Sequence, residues 1–106
     1  MKRLYVLVRT DLDRSSSAVQ AGHAVAQFMI EHPDCDWNNS YLIFLKVNSL
    51  EQLMNWKSKL DACELPERDS TLLKCSDFRE PDLNNELTAL AVYGVDANLF
   101  KRLRLL

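Results

Sequence analysis

Apolar positions fall into short continuous runs separated by helical periodicities, and that alternation sets the reading of the chain. Residues 3–9, RLYVLVR, form an unbroken apolar run rich in Val, Leu and Tyr, the pattern of a strand buried on both faces. A polar connection, TDLDRSSS, leads into a helix that any of its serines could cap, and Pro33 ends that helix near His32. YLIFLKV at 41–47 is a second buried strand, reached through the loop PDCDWNNS. Ser49 and Gln52 make a capping-box pattern, and Leu50, Leu53, Trp56, Leu60 and Cys63 follow at the spacing of one apolar helix face. ELPERDS breaks that helix, TLLKC at 71–75 is a weaker strand, SDFREPDLNNE reads as a long polar loop, and LTALAVYG is the last strand. A short tail helix closes the chain, packing Leu99, Phe100 and Leu103 while Lys101, Arg102 and Arg104 stay in water.

The predicted order is therefore βαβαββα. Strands that alternate with helices pair in parallel through right-handed crossovers, with helices on both sheet faces. The last β-β step has no crossover helix, so one neighbour is antiparallel. The expected fold class is α/β, a three-layer α/β/α arrangement around a four-stranded mixed sheet.

Length and composition narrow the class further. At 106 residues the chain suits one domain, 1–106, and 47% hydrophobic against 26% charged residues is ordinary for a globular protein. Arg9 ends the first apolar run well short of a signal-peptide core or membrane span, so a cytoplasmic protein that avoids membranes is expected. Three cysteines, Cys35, Cys63 and Cys75, form no close pair, and neither a disulfide framework nor a zinc ribbon is indicated. A net charge of −2 opposes a broad basic face for nucleic acid, so any polyanion site must be local.

The first helix, SSSAVQAGHAVAQ onward, is small and apolar and is expected to be mostly buried, yet Gln20, His23 and Gln27 share one narrow stripe with Ala24. Buried polar groups need partners, so the stripe meets either protein partners or a cleft. Its place after a buried strand favours a cleft at the strand ends, and Ala21, Gly22 and Ala24 leave room there. Asp11 and Asp13 read as turn residues rather than metal ligands, with Asp11 either pairing with Arg9 or capping the helix. Trp37 either stacks on a base or packs over the core edge.

LYVLVRTDL followed by AVQAGHAVA resembles the opening of the archaeal and eukaryotic (type 2) peptidyl-tRNA hydrolases, which carry an Arg-x-Asp-Leu motif and a helix with Gln-x-x-His-Ala. Arg9, Asp11, Leu12, Gln20, His23 and Ala24 fall on those motifs, and YLIFLKVNSLEQL and LTALAVYG match later elements, so the resemblance spans nearly the whole chain, as a divergent, bacterial-like member. It implies hydrolysis of the ester between a peptide and the 3′ end of tRNA, with no metal or other cofactor. On this resemblance His23 is the acid or base, since an unperturbed imidazole titrates at about 6.5. Gln20 orients the water or the terminal adenosine, and Thr88 bonds the carbonyl or the water. Arg9, Asp11, Ser16, Arg79, Glu80 and Asp82 are the expected substrate-binding set. Dimeric family members make a homodimer an expectation.

Two departures qualify the resemblance. The family has an active-site lysine four residues before the Gln, where this chain has Ser16, and the connection here is shorter, with Arg14 its one basic residue. In place of the family's catalytic Asp stands SDFREPDLNNE, whose Asp77, Glu80, Asp82 and Glu86 all offer a carboxylate and whose Arg79 could replace the lost lysine. Three readings stay open: a peptidyl-tRNA hydrolase-like enzyme, a non-catalytic module binding a nucleotide, small ligand or protein partner, and a hydrolase of another ester or amide.

Overall fold

A computed structural model describes residues 2–62 and 73–106. Its elements run β1 (Arg3–Arg9), α1 (Arg14–Glu31), β2 (Tyr41–Val47), α2 (Leu50–Asp61), β3 (Lys74–Glu80) and β4 (Glu86–Tyr93), with short 3-10 turns at Pro81–Leu83 and Ala97–Phe100. The expected tail helix is thus one 3-10 turn, although Phe100 is buried and Leu99 and Leu103 pack against the core as the apolar spacing required. Cys63, the ELPERDS break and the start of TLLKC lie outside the described residues.

The sheet is mixed and four-stranded, in the order β2-β1-β4-β3. β1 pairs in parallel with β2 from Arg3 opposite Tyr41 to Arg9 opposite Val47, and β4 lies antiparallel to both β1 and β3. Period-2 alternation divides the core. Tyr5 and Leu7 of β1 join Leu53 and Leu60 of α2, while Leu4, Val6 and Val8 join Ala21, Ala24 and Phe28 of α1.

Three expectations are corrected. β2 is the sheet's edge, and Tyr41 and Leu42 are exposed rather than buried on both faces. The polar segment SDFRE is a strand rather than a loop, because Ser76 and Phe78 turn inward while Asp77 and Arg79 turn to the other face. Helix α1 buries only one side, through Ser17, Gln20, Ala21, Ala24 and Phe28, while Val19, Gly22, Ala26, Met29 and Ile30 lie in solvent.

Both helices begin as their polar residues dictate. Ser49 caps α2 by accepting from the Gln52 amide at 3.1 Å, and the Gln52 side chain reaches back to the Asn48 N–H at 2.6 Å. For α1 the cap is Asp13 rather than a serine, accepting from the Ser16 amide at 2.8 Å. Asn84 and Asn85 complete the turn from β3 to β4 with positive φ, a backbone region that Asn tolerates better than most residues.

Two features fix the sheet where it meets the helices' ends. Phe78 faces Ala89 and Arg79 faces Leu87, so Thr88 is an extra residue in β4, a bulge. Beyond β2, residues 104–106 add a short antiparallel edge: Leu45 bridges Leu105, and the Lys46 N–H donates to the Arg104 carbonyl at 2.8 Å.

Candidate functional site

The bulge governs the site. In a regular strand Leu87 and Ala89 would share a face, but Leu87 packs on the α2 side and Ala89 on the α1 side, with Thr88 also turned toward α1. The fully buried Thr88 hydroxyl donates to Gln20 Oε1 at 2.7 Å. Gln20 Nε2 donates in turn to Glu80 Oε2 at 2.8 Å. A carboxylate only accepts, so the amide nitrogen must face Glu80 and its oxygen must face Thr88. Glu80 also caps the Pro81–Leu83 turn, accepting from the Asp82 N–H at 3.2 Å. These bonds, the one from Gln20 foremost, hold the Glu80 carboxyl below the usual range, so it stays ionised.

Above this chain of bonds lies a cleft of about 330 Å³ lined by Leu12, Asp13, Ser16, Gln20, Glu80, Asp82 and Leu83. Gln20 is nearly buried, yet it lines the cleft, and its amide nitrogen has a second hydrogen beyond the one given to Glu80. His23, one helical turn further on, is exposed and lies flat against Phe78, ring centroids 4.6 Å apart at 9°. It does not line the cleft itself, but it is near enough to Glu80 for its positive form to favour that carboxylate. Gln27, the end of the stripe, donates to Glu31 at 2.8 Å on the surface.

The expected set therefore divides. Gln20, Thr88, Glu80, Ser16 and Asp82 come together with His23 beside them. Arg79 does not join them: Asp77 binds Lys57 of α2 at 2.9 Å, and Arg79 lies on that same face, 3.9 Å from Asp77 and donating to the Asn85 carbonyl at 3.4 Å. It cannot replace a cation in the cleft.

Arg9 and Asp11 form a scaffold instead. Arg9 is 5% exposed and grips Asp11 with Nε at 2.9 Å and Nη2 at 2.7 Å, while Nη1 binds Glu86 and the Leu87 carbonyl. The bidentate bond to Asp11, ahead of the Glu86 contact, pushes the guanidinium's pKa up, and the same bond lowers Asp11's. Of the two roles open to Asp11, pairing is the one observed. The hydrogen bonds leave Arg9 little capacity for a ligand phosphate.

Sequence reasoning missed Ser17, whose buried hydroxyl donates to the Arg9 carbonyl at 2.7 Å and so fixes α1 to the end of β1. Its signal was present, since a serine one turn inside a helix after a strand is placed to satisfy the strand's last carbonyl. Trp37 donates to the Tyr41 carbonyl at 3.1 Å and packs against the α1-side core, so it covers the core edge. Among the described residues no group of His, Cys, Asp and Glu could hold a metal ion, and no helix is long and apolar enough to cross a membrane. No protein-family description matches the chain, and no characterised protein matches it significantly.

Proposed function

We propose that the chain hydrolyses the ester joining a peptide or blocked amino acid to the 3′ end of tRNA. The observation that carries this reading is the Thr88–Gln20–Glu80 chain of hydrogen bonds, buried at its Thr88 end, which presents an oriented amide to an open cleft. Preorganised donors are what a developing oxyanion requires, because they need no rearrangement as charge appears. The second Gln20 N–H holds the ester carbonyl or the attacking water, Thr88 fixes the amide, and Glu80 takes the place of the family's carboxylate. His23, one helical turn beyond Gln20, exchanges the proton with the water or the leaving ribose hydroxyl. On this reading the βαβαββ order is a three-layer α/β/α member of that family's fold, meeting its tRNA in the cytoplasm.

A binding module on the same scaffold is the second reading, favoured by one observation. Asp13, Glu80 and Asp82 line the cleft and, among the described residues, no Lys or Arg does, so it lacks the cation that Ser16 replaces.

Hydrolysis of N-acetyl-aminoacyl-tRNA by the wild type, His23→Ala and Gln20→Leu separates the two. The enzyme reading expects wild-type turnover and a loss of about 10²–10⁴-fold in His23→Ala, the usual size of general acid-base catalysis. Absence of wild-type turnover leaves the binding module.

A further inference from the structure

Two grooves run beside the acidic cleft, on the far side of the first turn of α1. One, of about 650 Å³, is lined by Thr10, Arg14 and Lys46 together with apolar residues that include Leu12 and Leu105. The next, of about 380 Å³, shares Lys46 and adds Asn48, Arg102 and Arg104. Leu12 also lines the cleft, so the cleft and the first groove adjoin at that residue.

The grooves' cations are clustered and unneutralised. Several cations elsewhere meet carboxylates: Lys2 lies 3.5 Å from Asp36, Lys57 bridges Asp61 and Asp77, and Arg9 holds Asp11 and Glu86. Arg14, Lys46, Arg102 and Arg104 are exposed and, among the described residues, none takes part in an ion pair. Among the described residues no acidic side chain lines either groove. The fold assembles this band deliberately in one respect: the Lys46 and Leu106 amides donate to the Arg104 and Phe44 carbonyls at 2.8 and 2.9 Å, which keeps the arginine-bearing tail beside β2.

We propose that this band is a docking surface for the phosphate backbone of an RNA strand. Unneutralised Lys and Arg in a row suit a polyanion, because each phosphate contact releases condensed counterions, whereas the carboxylate-lined cleft would repel phosphate. The strand's identity as the acceptor arm of tRNA rests on the function proposed above. In that arrangement the grooves take the phosphates and leave the 3′ end to turn into the cleft past Leu12.

The test is fluorescence anisotropy with deacylated tRNA at several salt concentrations, using wild type, Lys46→Ala, Arg104→Ala and, as a control on α2, Lys59→Ala. Lys46→Ala and Arg104→Ala should each weaken binding and reduce the log-log salt slope by about 0.7–0.9, the share of one phosphate contact, while Lys59→Ala matches wild type. Circular dichroism identical to wild type confirms that these exposed substitutions leave the fold intact. Wild type that fails to bind at low salt, groove variants with unchanged affinity and slope, or equally tight binding of poly-glutamate would each overturn the proposal. In the hydrolysis assay the groove variants should raise KM and leave kcat unchanged. Binding through these residues without turnover sinks the enzyme reading alone; turnover with an unchanged KM sinks the groove alone.

Discussion

Thr88 donates its hydroxyl to the Gln20 side-chain oxygen at 2.7 Å, across 68 positions of sequence, and the β4 bulge makes that contact geometrically available. A regular ladder would give Thr88 a direct partner in β3 and return it to strict alternation between the faces. Thr88→Val therefore keeps the shape and leaves a buried acceptor on Gln20. Urea denaturation should show a loss of about 1–3 kcal/mol, the cost of an unsatisfied buried polar group, with most of it restored in Thr88→Ser.

Arg9→Met tests the scaffold. Removing the guanidinium leaves the Asp11 and Glu86 carboxylates facing each other's charge, and neither is fully exposed, at 38% and 39%. Breaking a buried pair costs about 3–5 kcal/mol, so these half-wet partners set an expectation of about 2–4 kcal/mol by the same denaturation measurement. A cost below that range would mean that water already solvates the cluster.

Acid should weaken the protein through the same cluster. Asp11 has its carboxyl lowered chiefly by the Arg9 hydrogen bond, so the native state binds fewer protons than the unfolded chain as pH falls through the carboxylate range. Its contribution is present above the ordinary Asp value of about 3.9 and is lost as pH drops through the lowered value. Melting temperature should fall on acidification below about pH 4, and Asp11→Asn should shallow that fall.

At the alkaline end the sign reverses. Burial, then the bond to Asp36 at 2.6 Å, raises the Tyr93 phenol's pKa. Its contribution is present below the ordinary tyrosine value of about 10 and disappears as pH climbs through the raised one. Thermal melts from neutral pH upward should decline more gently in Tyr93→Phe than in wild type.

Gly22 gives a prediction in the stabilising direction. It sits inside α1, and an added Cβ would meet nothing within 4 Å. Gly22→Ala should raise stability by about 0.4–1 kcal/mol through loss of unfolded-chain freedom. If the substitution lowers tRNA affinity while raising the melting temperature, the helix's outer face takes part in docking.

Legibility in the sequence followed burial. β1 was plain because six of its seven residues are buried and none breaks the run, and β2 was bounded correctly even though its edge position was not. Gln20 and Thr88 could be singled out by residue type and resemblance, but not joined, since no local signal announces a bulge. Glu80 stood undistinguished beside Asp77, Asp82 and Glu86 because a polar strand at the sheet's edge looks like a loop. Had Ser76 and Phe78 been read as inward positions of a strand, period 2 would have sent Arg79 to the opposite face and Glu80 to Gln20.

Residues 104–106 occupy the hydrogen-bonding edge of β2, and that has a bearing on how molecules meet one another. An open edge beside exposed Tyr41 and Leu42 would invite another chain to extend the sheet, the usual first step toward fibres. Here residues 104–106 already pair along residues 44–46, with Arg102 and Arg104 beside them to repel a like-charged copy. Concentrated protein should therefore resist growth from this side, and a shortened tail would be the variant to watch for cloudiness on storage.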